Sequence, residues 1–112
     1  MSAPKIRPQS WRGLIDSGFE PRLYPWEDLP LGNRRVSLEA SCWPPDLMAV
    51  ICFFRDLDSE QLYRITVFRD RTTERYGPQG FDFSDVCPGT ILTIEIAQTR
   101  SGKFRVQSAK LS

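Results

Sequence analysis

The stretch TILTIEIAQTRSGKFRVQSA, residues 90–109, decides how this chain is read. Leu92, Ile94 and Ile96 alternate with polar or small residues, and the same period of two resumes at Phe104 and Val106. Alternation of this kind marks half-buried strands. Between the runs, Arg100-Ser101-Gly102 suits a type I turn closed by a glycine in the left-handed region, which forms a G1 bulge. The stretch therefore predicts a hairpin with strands at Thr90–Thr99 and Lys103–Ala109. Leu92, Ile94, Ile96, Phe104 and Val106 would point inward, and Thr93, Glu95, Thr99, Lys103, Arg105 and Gln107 outward.

Three more strands are expected upstream. Arg35–Trp43 places Val36, Leu38, Ala40 and Cys42 on one face, and Pro44-Pro45-Asp46 stops it. Leu47–Arg55 is apolar on both faces, and Gln61–Arg69 is rich in β-branched and aromatic residues. Asp56–Glu60 reads as the loop joining them. Pairing Arg55 with Gln61 sets Phe53 opposite Tyr63, Ile51 opposite Ile65 and Ala49 opposite Val67 as a core face. Met48, Val50, Cys52, Phe54, Leu62, Arg64, Thr66 and Phe68 then form a second face too apolar to meet water, so something must cover it. A slip of one residue exchanges the two sets. Residues 70–89 make a long connection with at most one helical turn, Phe83–Val86, anchored by Phe81, Phe83 and Val86.

Residues 1–33 have a different character. Pro4, Pro8, Pro21, Pro25 and Pro30 interrupt them, so long regular elements are excluded. Ser10–Ser17 fits a short helix capped by Ser10 and ended by Gly18. With Trp11, Phe19, Tyr24 and Trp26 in it, the segment is too aromatic for an ordinary disordered tail. It is read as an arm, distinct from a β domain over 34–112, that lies on the β domain or docks on a partner through Trp11, Tyr24 and Trp26.

Composition narrows the chemistry. With 112 residues the chain fits a single domain. Its formal charge is +1, unevenly placed: residues 61–112 carry net +3 and residues 1–60 net −2. The three cysteines, Cys42, Cys52 and Cys87, are odd in number and lack CxxC spacing, which points to reduced thiols in a cytoplasmic setting. Histidine is absent, so neither a Ser-His-Asp nor a Cys-His site can be assembled. The carboxylates of Asp56–Glu60 lack the length and the glycine of an EF-hand loop, and Gly77–Gly80 lacks the lysine of a phosphate loop. No apolar run is long enough for a bilayer span, and no hydrophobic leader segment is visible. The expectation is a non-enzymatic, non-membrane binding protein that needs no cofactor or metal.

Three strands, a long connection and a hairpin resemble the OB-fold in strand order and length over residues 35–111. The chain departs from that pattern where the helix between the third and fourth strands is missing or reduced, and its first turn is short. The fold class expected is mainly β: a small five-stranded antiparallel OB-like barrel with a Pro-rich N-terminal arm, an SH3-like barrel or β-sandwich being the alternatives. The resemblance implies a binding face on strands two and three with the 4–5 turn. Arginines interleaved with aromatics fit single-stranded nucleic acid, where cations follow phosphates and rings stack on bases. The residues assigned to that role are Phe54, Arg64, Phe68, Arg69, Arg71, Arg75, Tyr76, Arg100, Lys103 and Arg105. The alternative is a protein–protein module, an adaptor, inhibitor, accessory subunit or homo-oligomer, using the aromatic arm or the apolar face of strands two and three.

Overall fold

The alternating runs form six strands in the computed structural model, which describes residues 8–44, 48–78 and 80–112. Their labels are β1 (Gln9–Ser10), β2 (Gly32–Trp43), β3 (Ala49–Asp56), β4 (Leu62–Phe68), β5 (Ile91–Gln98) and β6 (Phe104–Leu111). One helix, α1 (Trp11–Asp16), and two 3-10 turns, Pro21–Leu23 and Phe83–Asp85, complete the regular elements among the described residues. The sheet order is β4-β3-β2-β5-β6, antiparallel throughout, with β1 added parallel to the end of β2. No ladder joins β4 to β6 among the described residues, so the sheet is open where a closed barrel would be sealed. Pro45 and Asp46, expected at the first turn, and Leu47, expected to open the second strand, lie outside the described residues, as do Gln79 and the N-terminal seven.

The turn of the β5–β6 hairpin follows its sequence, but the ladder beyond it carries an unexpected bulge at Gln107, because Ile96 pairs with Val106 and Glu95 with Ser108. Gly102 has φ 84°, its N–H donates to the Thr99 carbonyl, and the Thr99 N–H donates to the Lys103 carbonyl. Leu92, Ile94, Ile96 and Val106 are buried. The start of α1 is equally legible: the Ser10 hydroxyl accepts from the Gly13 N–H at 3.0 Å, and Gly18, at φ 91°, follows the last turn.

The central hairpin departs from the expected register by one residue. Arg55 pairs with Leu62, not Gln61, so Phe54 faces Tyr63, Cys52 faces Ile65 and Val50 faces Val67. The loop is the four residues 57–60, one fewer than expected: Glu60 takes φ 61° and the Asp56 N–H closes the loop on the Gln61 carbonyl. The slip exchanges the faces of β3. Val50, Cys52 and Phe54 enter the main core with Leu38, Tyr63, Phe83 and Ile94, whereas Phe53 and Ile51 turn to the other side.

A second irregularity makes room for that exchange. β2 pairs Leu38 with Phe54 but Ala40 with Phe53, so Glu39 is one residue too many. Such a bulge reverses the facing of the residues beyond it. Val36 and Leu38 belong to the main core, and Ala40 and Cys42 to a second cluster with Phe53, Leu14 and Tyr24. The even alternation of 36, 38, 40 and 42 in sequence therefore spans two faces in space. The arm covers the face that Phe53, Ala40 and Cys42 occupy, whereas Val50, Cys52 and Phe54 of the set expected to need a cover lie in the main core: Leu14 and Tyr24 are buried on that face, Phe19 stacks on Tyr24 at 5.0 Å, and both rings meet Phe53 edge-on.

Asp56 fastens one end of the sheet. It is fully buried, and its Oδ2 accepts from Arg34 Nε of β2 at 2.7 Å and from the Tyr63 hydroxyl of β4 at 3.4 Å. Its Oδ1 accepts from the loop N–H groups of Asp58 and Ser59. Burial alone would raise the pKa of this carboxyl, but the Arg34 bond and the two loop donors outweigh it and hold the value below the ordinary one. Because the folded value is depressed, the stabilisation is complete above the ordinary carboxylate range and is lost as pH falls through the folded value.

This arrangement sets two stability outcomes. Asp56→Ala leaves Arg34 without its buried partner and is expected to cost about 3 kcal/mol in urea unfolding at pH 7. The gap from the parent should narrow as pH falls below the ordinary carboxylate range; a gap independent of pH would contradict the linkage. Leu14→Ala is expected to cost about 3 kcal/mol as well, in the same cooperative transition as the sheet. A separate early transition would show that the arm is not part of the folded unit.

Candidate functional site

The unsealed side of the sheet is a groove. It runs between residues 64–70, in β4 and just beyond it, and residues 98–107 of the last hairpin, has a volume of about 1260 Å³, and is bordered by the strap 26–29 of the arm and by Gly77-Pro78. The strap is anchored at both ends: Tyr24 is buried in the second cluster and Leu29 in the main core. Between them, the Pro25 carbonyl accepts a hydrogen bond from the Arg64 N–H at 2.9 Å. That bond shows that Arg64 turns its backbone away from β3. By strand alternation Thr66 and Phe68 do the same and present their backbones to the groove, where no described strand pairs with them.

Arg64 is the hinge of the site. Its guanidinium lies 4.4 Å from the Trp26 ring centre and 5.9 Å from that of Phe53, so it bridges the groove rim and the cluster beneath the arm. Burial lowers its pKa from the ordinary arginine value, but arginine retains its charge at neutral pH. The same residue borders a smaller depression of about 430 Å³ with Trp11, Ile15 and Pro21. Trp26 is 59 % exposed and Phe68 63 % exposed, so two flat rings stand at the groove ready for contact.

Five of the ten residues assigned to nucleic acid from sequence meet in this groove: Arg64, Phe68, Arg69, Lys103 and Arg105. The other five lie elsewhere. Phe54 is fully buried, because the register slip turns it into the main core. Tyr76 packs edge-on against Trp43 at 4.9 Å and forms an isolated bridge with Arg69. Arg71 lies in the exposed turn after β4, Arg75 donates to the Gly80 carbonyl at 2.8 Å, and Arg100 is exposed at the tip of the last hairpin. The three arm residues also separate. Tyr24 is buried and Trp11 half-buried under the arm, which removes Tyr24 from the surface expected for a partner, whereas Trp26 joins the groove.

The charges of the groove are not equivalent. Arg69 pairs with Glu74 at 3.5 Å, and Arg64 is stacked. The Asp70 carboxylate accepts from the N–H groups of Thr73 and Thr72, which hold its pKa below the usual range. Lys103 and Arg105 make no ion pair among the described residues, nor do Glu27 and Asp28 of the strap. The sequence signal for Lys103 and Arg105 was their outward position on a regular hairpin. Glu27 and Asp28 carried no such signal, since only the fold brings the strap to the groove.

No group of three or more potential metal ligands lies together among the described residues, and no described helix is long and apolar enough to cross a membrane. No family model matches this chain, and no curated protein or solved structure matches it significantly.

The thiols divide by environment. Cys42 and Cys52 are buried, and burial pushes the Cys42 thiol up to about 11 and that of Cys52 higher still, whereas Cys87 is partly exposed. A disulfide reagent at pH 8 should therefore modify one thiol of the native protein promptly, with the other two reacting after denaturation. Prompt reaction of three would contradict the buried placement.

Proposed function

We propose that this protein is a non-enzymatic, OB-like binding domain for single-stranded nucleic acid, with the groove between β4 and β6 as its ligand surface. The observation that carries the reading is the convergence in one open groove of Arg64, Arg69, Lys103 and Arg105 with the exposed rings of Trp26 and Phe68. Cations and stacking platforms in one channel are what a flexible polyanion with flat bases requires. The OB-like reading is supported by the pairing of the first long strand with both the second and the fourth, and by the third and fifth lying on either side of the groove, as in a partly open barrel. The arm supports the assignment indirectly: by covering the second face of β3, it leaves the groove as the aromatic and basic surface still open to a ligand.

The unpaired edges of β4 and β6 favour a second reading, in which an extended peptide adds as a strand. The two readings differ in salt dependence, because main-chain pairing releases few counterions.

Fluorescence anisotropy with a labelled 12-nucleotide single strand tests the first. With two to three phosphates neutralised, log affinity against log salt should fall with a slope of about −2. Lys103→Ala with Arg105→Ala should weaken binding at least tenfold and flatten that slope. An absence of binding at low salt with tens of micromolar protein would remove the reading.

A further inference from the structure

The groove is electrically two-sided. One side, formed by the last hairpin, carries Lys103 and Arg105, whose charges are unpaired among the described residues. The opposite border, the strap, carries Glu27 and Asp28 beside the exposed ring of Trp26. These two carboxylates are exposed, and no hydrogen bond or ion pair to a described residue engages either, in contrast to Asp70 with its two N–H donors. Asp28 is held at φ 53°, a conformation that non-glycine residues adopt seldom.

Arg69 is paired with Glu74 and Arg64 is stacked on Trp26, so a strand of nucleic acid entering the groove meets the unpaired cations at the hairpin. Its phosphates are repelled by the strap and drawn to the hairpin, so its bases turn toward the strap. There Trp26, backed by the Arg64 guanidinium, offers a stacking face. The base edge beyond that face then meets carboxylates, which accept hydrogen bonds and donate none. Cytosine presents an amino donor at the position where thymine presents a carbonyl oxygen.

We propose that Glu27 and Asp28 are specificity-determining residues that select single strands whose bases carry exocyclic amino groups, so that cytosine is preferred to thymine. This inference rests on the groove being a nucleic-acid site, and its test separates the two ideas.

The test compares labelled dC12 and dT12 by anisotropy at pH 7.5 and low salt, using the full chain and the variant Glu27→Ala with Asp28→Gly. Glycine suits the positive φ at position 28, so the variant should keep the parent thermal midpoint. The parent should bind dC12 about fivefold more tightly than dT12, toward the low end for a carboxylate reading a base at an exposed site. The variant should lose that preference while binding dT12 at least as well as the parent, because the repulsion of phosphates is gone. Equal or tighter binding of dT12 by the parent, or a preference for dC12 that persists in the variant, overturns the specificity and leaves the groove a nucleic-acid site. Binding of neither oligonucleotide overturns both.

Discussion

The structure depends on one residue too many in its longest strand. Without Glu39, β2 would hold a single facing from end to end, and Ala40 and Cys42 would lie over the main core with Leu38. The bulge turns them to the other side, where Phe53 arrives through the displaced register of β3 and β4. Glu39 is retained as an ordered member of the sheet: its Oε1 accepts from Arg55 Nε at 2.8 Å on the neighbouring strand. A small sheet thus acquires two apolar faces, and an arm that could have been a linker becomes part of the fold.

That arrangement explains where the open surface lies. The arm crosses the second cluster, buries Tyr24, passes as the strap 26–29 along the free edge of β4, and re-enters the core at Leu29. It takes one backbone hydrogen bond from β4, at Arg64, and leaves Thr66 and Phe68 facing the groove. Lys103 and Arg105 stand across from them because Gly102 closes the last hairpin and fixes which side chains face outward. The groove brings together charge, exposed aromatic surface and unpaired backbone.

Much of this was legible in the chain. Leu92, Ile94 and Ile96 with Gly102 specify the last hairpin through local physics, a period of two and a turn that only glycine fits easily. Ser10 and Gly18 do the same for α1. The central hairpin was not legible, for a physical reason: both faces of residues 49–54 are apolar, so hydrophobicity alone could not choose between registers one residue apart. What chose was the turn. Asp56–Gln61 and Asp70–Arg75 form the same loop, with the aspartate N–H closing it, its carboxylate accepting from the second and third residues beyond, and a glutamate at positive φ. The repeated Asp-x-x-x-Glu spacing was the signal that could have found it. The site divided along similar lines, since residues on the regular hairpin were placed by alternation, Phe54 was misplaced by the slip, and Glu27 and Asp28 reach the groove only through tertiary packing.

On this proposal recognition takes place in the groove between the unsealed edges of β4 and β6, and two-dimensional amide NMR during titration with a 12-nucleotide single strand is the decisive experiment. Progressive shifts are expected at Arg64, Thr66, Phe68, Lys103 and Arg105 and at the Trp26 indole N–H, with the Asp56–Gln61 loop unmoved. Shifts concentrated at that loop or on α1, or none at saturating oligonucleotide, would contradict it.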